Sequence, residues 1–79
     1  MNTFYVICAD SITKDFTIGK TYKVSNGFIY VDKMQAWNLH KLNPFGLYME
    51  INNVQDINNY CGPVLGARFI LADKEYDEQ

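Results

Sequence analysis

The sequence predicts a small, mainly β domain: an antiparallel barrel of five to six short strands with one short helix before the last strand. Three observations lead there. Across residues 20–24, Tyr22 and Val24 alternate with Thr21 and Lys23, the period of a strand with one face in a core. Ser25-Asn26-Gly27 follows at once, and Asn-Gly supplies the two residues that tolerate positive φ in a tight hairpin before Phe28-Ile29-Tyr30-Val31. Turn residues then recur at short intervals. The strands are too few for a two-sheet sandwich, so a strongly bent barrel is the economical way to hide their edges.

The run Thr3 to Cys8 is rich in β-formers and apolar on both faces, which predicts a central first strand. Residues 9–15 are polar and read as a loop, with Phe16 and Ile18 folding back onto the core and Gly19 allowing a sharp change of direction. After the 20–24 and 28–31 hairpin, Asp32-Lys33 marks a turn. Residues 35–42 are ambiguous. Trp37, Leu39 and Lys41 alternate as in a strand, while Met34, Trp37 and Leu42 fit a short helix; the strand reading is preferred because eight residues are short for a helix. Asn43-Pro44-Phe45-Gly46 is a turn, and residues 47–51 read as a further strand.

Asn53 is a natural N-cap, with Asp56 three residues later, which predicts one to two helical turns over residues 54–60. A loop over residues 61–66 and a last strand over 67–72 complete the domain. Five or six strands with tight turns and one short helix describe an SH3-like barrel spanning residues 1–72. Residues 73–79 read as a frayed acidic tail.

Composition narrows the function. Seventy-nine residues make one domain with a thin core. Six Tyr, five Phe and one Trp are more rings than such a core holds. Tyr30, Trp37, Phe45, Tyr48 and Tyr60 are therefore the candidate partner-binding residues, with an arm over residues 33–50 carrying Trp37, Phe45 and Tyr48. The net charge of −2 and the scattered lysines argue against a nucleic-acid partner. If nucleic acid bound, Lys20, Lys23 and Lys33 with Tyr22 or Tyr30 would be its contacts. Pairing of an edge strand with a second copy is a further reading.

No catalytic constellation stands out. His40 is the one histidine, and no nucleophile elbow surrounds Ser11 or Ser25. Cys8, His40 and Cys61 are isolated from one another, so neither metal nor cofactor is expected. Gly19-Lys20-Thr21 lacks the upstream glycine of a phosphate loop. With no membrane-length apolar run and no signal peptide evident, the expected setting is a reducing cytoplasm with both thiols free and buried.

The pattern Phe16-Thr17-x-Gly19-Lys20-x-Tyr22-x-Val24, with Asn26-Gly27 and a late polar helix before Arg68-Phe69-Ile70-Leu71, resembles small accessory proteins of bacteriophages. The resemblance covers about two thirds of the chain and departs from it over residues 33–51. It implies an SH3-like viral protein acting in the host cytoplasm, where it binds and inhibits or redirects a host protein such as RNA polymerase or a defence nuclease.

Overall fold

The computed structural model describes residues 3–72. The expected acidic tail, residues 73–79, lies outside the described residues. Five strands form one antiparallel sheet: β1 (Thr3–Ser11), β2 (Thr21–Ser25), β3 (Phe28–Tyr30), β4 (Ala36–Asn38) and β5 (Ala67–Leu71). Their order is β4-β3-β2-β1-β5, a meander with the last strand added on the free side of β1.

β1 is paired on both sides, as its two apolar faces predict. Its first half pairs with β2 (Phe4 opposite Val24, Val6 opposite Tyr22) and its second half with β5 (Cys8 opposite Phe69). A register shift between Cys8 and Asp10 marks a bulge, a feature that bends a strand. Asn26 and Gly27 both take positive φ, 54° and 83°, in the β2–β3 hairpin.

One core lies against the inner face of the sheet. Val6 and Cys8 of β1, Tyr22 and Val24 of β2, Ile29 of β3 and Phe69 of β5 are buried with Phe16, Leu39, Ile51, Ile57, Cys61 and Leu65. Phe16 sits at its middle. Its ring meets those of Tyr22, Trp37 and Phe69 edge to face at 5.3, 5.4 and 5.2 Å. The Tyr22 hydroxyl accepts the Thr17 N–H at 2.7 Å and so pins the segment that carries Phe16. The neighbouring Ile18 does not join the core as expected; it is 60% exposed, because Gly19 (φ 89°) turns the chain directly after it.

Three further expectations are corrected. Residues 47–51 form no strand; this stretch and its approach are irregular, held by side chains described below. The preferred 35–42 strand shrinks to the three residues of β4 and ends in a turn at Leu39. The helical segment is longer than expected: α1 (Val54–Asp56), a π-helical stretch (Ile57–Cys61) and α2 (Gly62–Leu65) run on without a break. Asn53 caps it as predicted, its side chain accepting the Asp56 N–H at 2.9 Å, while the Asp56 carboxylate accepts the Asn52 N–H at 2.9 Å. The π stretch precedes Pro63. The wider turn puts the Gly62 N–H on the Ile57 carbonyl, and Pro63 then falls in the first turn of α2, where its missing N–H costs least.

Both cysteines are buried and free. Cys61 donates its S–H to the Leu39 carbonyl at 3.1 Å, tying the helical segment to the chain just after β4.

Candidate partner-binding surface

Leu39 leaves β4 with its N–H on the Gly27 carbonyl at 2.7 Å and its side chain in the core. The next residue, His40, turns outward. Its Nδ1 lies 2.8 Å from the Met49 carbonyl, and only a protonated nitrogen can donate to a carbonyl, so Nδ1 carries the hydrogen. The His40 carbonyl accepts the Met49 N–H at 2.9 Å. These two bonds clamp the ends of the intervening loop together.

Asn43 organises that loop from inside. It is only 7% exposed. Its Nδ2 donates to the Leu47 carbonyl at 2.7 Å and to the His40 carbonyl at 3.4 Å, and its Oδ1 accepts the Phe45 N–H at 2.9 Å. A buried amide with both ends satisfied holds the chain around it, since releasing it would strand polar groups. Gly46, with φ of 70°, closes the turn. The consequence is a fixed loop whose apolar side chains face water: Phe45, Leu47 and Tyr48 are 61%, 63% and 61% exposed. Tyr48 stacks on His40 with centroids 4.6 Å apart.

The five predicted contact residues separate accordingly. Phe45 and Tyr48 share this loop. Tyr30 is exposed elsewhere, on the outer face of β3, with the Lys23 ammonium 5.7 Å from its ring centre. Trp37 and Tyr60 are half-buried and pack on the core, Trp37 against Phe16. No arm over residues 33–50 gathers them. Leu47, Asn43 and His40 were missed. Asn-Pro-x-Gly was the signal for Asn43, since an Asn side chain bonding to the backbone two residues on is what sets up such turns.

Beside the loop lies a hollow of about 240 Å³ lined by Asn26, Gly27, His40, Tyr48, Glu50, Ile51 and Asn52. A second, of about 290 Å³, is lined by residues including Asp10, Ile12, Pro63 and Arg68, where Asp10 and Arg68 face each other across the β1–β5 ladder. No family model, curated protein or solved structure matches this chain. Among the described residues no group of three or more His, Cys, Asp or Glu is placed to hold a metal ion, and no helix is long and apolar enough to cross a membrane.

Proposed function

We propose that the chain is a non-catalytic protein-binding module whose contact surface is the loop carrying Phe45, Leu47 and Tyr48. One observation carries this reading: the loop is pinned by the buried Asn43 amide, yet it holds three large apolar side chains in water. Such residues add little to folding. Held still, they bind a partner with a smaller loss of conformational entropy than a mobile loop would suffer, and apolar protrusions of this kind mark interaction sites. With the resemblance to bacteriophage accessory proteins, the partner is a host protein of the bacterial cytoplasm, such as RNA polymerase or a defence nuclease, which the module inhibits or redirects.

The scaffold in this proposal is an SH3-like barrel. The strand order supports it, as does the bulge in β1. So does Phe16, whose ring touches Trp37 on one edge strand and Phe69 on the other. Edge strands of a flat five-stranded sheet would stand ~19 Å apart, too far for one ring to reach both edges without strong curvature.

Affinity capture from bacterial lysate tests the proposal. One stoichiometric partner is expected, and Phe45→Ala or Tyr48→Ala should each weaken capture about tenfold or more, while Tyr30→Ala leaves it unchanged. Capture indifferent to both loop substitutions would refute the surface.

A second reading rests on the outer face of the sheet, where Phe28 and Tyr30 are exposed and Lys23 lies over Tyr30. Rings and a cation on a sheet suit a single-stranded nucleic acid. Such binding must fall steeply with salt; no shift of an oligonucleotide at low salt would remove this reading.

A further inference from the structure

We propose that the hollow beside the loop receives the guanidinium of an arginine on the partner protein. This rests on the reading of the loop as the contact surface and adds the partner's chemistry to it. Tyr48 belongs to both, so a chain docked on Phe45, Leu47 and Tyr48 passes the mouth of the hollow. Among the described residues, Glu50 is the one Asp, Glu, Lys or Arg in the lining. The Asp56 carboxylate accepts the backbone N–H of Asn52, a lining residue, at 2.9 Å and so adds a second acidic group next to it. The Tyr48 ring has one face on His40, and the residue is 61% exposed.

A cation is therefore complementary, and arginine fits better than lysine. Its flat fork can lie on the open face of Tyr48 while donating to the Glu50 carboxylate, whereas an ammonium offers a point charge without that planarity. Arginine is also over-represented among residues that dominate binding energy at interfaces.

The test uses the full chain and two probes, N-acetyl-arginine methylamide and its citrulline counterpart, which has nearly the same shape without the charge. Nuclear magnetic resonance titration should give saturable shifts of Asn26, Tyr48, Glu50 and Asn52 with the arginine probe, and about tenfold weaker binding of the citrulline probe. Glu50→Gln, an exposed and conservative change, should erase the difference and should also weaken partner capture. Equal binding of both probes, no saturable shift at these residues, or capture indifferent to Glu50→Gln would each overturn the arginine. Capture that still depends on Phe45 and Tyr48 in those cases leaves the loop as the contact surface. Capture indifferent to Phe45→Ala and Tyr48→Ala would instead overturn the surface itself, whatever the probes do.

Discussion

Gly27 meets two demands at once. Its φ of 83° lies where side chains are strained, and a Cβ there would stand 2.0 Å from Nε2 of His40. That ring cannot easily retreat, because Met49 holds one side and Tyr48 stacks on a face. Gly19 has a similar φ of 89° but open space around it. Gly27→Ala should therefore lose about 2–4 kcal/mol of stability and Gly19→Ala about 1 kcal/mol, measured by urea unfolding. Equal losses would mean that the His40 ring yields. Cys61 makes a pH prediction. Burial pushes its thiol up to about 11, with a smaller contribution from the Asp56 charge. The folded state thus keeps this proton to higher pH than the unfolded chain, whose thiol titrates near 9. The stabilisation is complete below about pH 9 and is lost as pH rises toward 11, with a slope of up to ~1.4 kcal/mol per pH unit. Unfolding midpoints taken from pH 8 to 11 should fall less steeply in Cys61→Ala; an unchanged slope would count against the assignment. Burial raises Cys8 in the same direction, so part of the slope remains in that variant.

Among the elements, β5 most needs protection. It is an edge strand, and Ile70 and Leu71 on it are exposed. Bare edges of this kind invite pairing with a second copy. Asn58 of the π-helical stretch blunts the edge: its Nδ2 donates to the Phe69 carbonyl at 2.8 Å and its Oδ1 accepts the Phe69 N–H at 2.9 Å. A side-chain amide thus stands in for the backbone of a sixth strand. Asn58→Ala should cost about 1–3 kcal/mol and promote self-association that grows with concentration, read by sedimentation. A variant that stays monomeric with unchanged stability would show that the amide protects nothing. The same helical segment illustrates how far local signals reach. Its start was legible, because an N-cap bonds within four residues of itself. Its continuation through Pro63 was not, because proline ordinarily breaks a helix and the π-helical stretch before it buries Ile57 and Cys61 in a core made by distant segments. Asn58 as an edge cover was equally hidden, since its partner lies eleven residues away.

At the level of the whole molecule, Phe16 joins the two ends of the sheet. Phe16→Ala removes three edge-to-face ring contacts and leaves a cavity among Tyr22, Trp37 and Phe69, costing about 3–5 kcal/mol. That is a large part of the 5–15 kcal/mol on which a domain rests, and this one is small. Thermal unfolding should shift down sharply, and emission from Trp37, the single tryptophan, should move to the red as its packing loosens. Phe16→Leu should lose less, because more of the volume is kept; equal losses would point to a defect unrelated to packing. The sequence alone determined the β class, the Asn26-Gly27 hairpin, the inward set Tyr22 and Val24, the Asn53 cap and a helical segment before the last strand. Each depends on the conformational preferences of residues a few positions apart. It also told that rings were in surplus. Only the tertiary structure decided which ones stay outside: Trp37 went inward because Phe16, twenty-one positions away, reaches it, while Phe45 and Tyr48 stayed out because Asn43 and His40 used the backbone around them. Burial of a side chain is a property of contacts between distant segments, and no local pattern carries it.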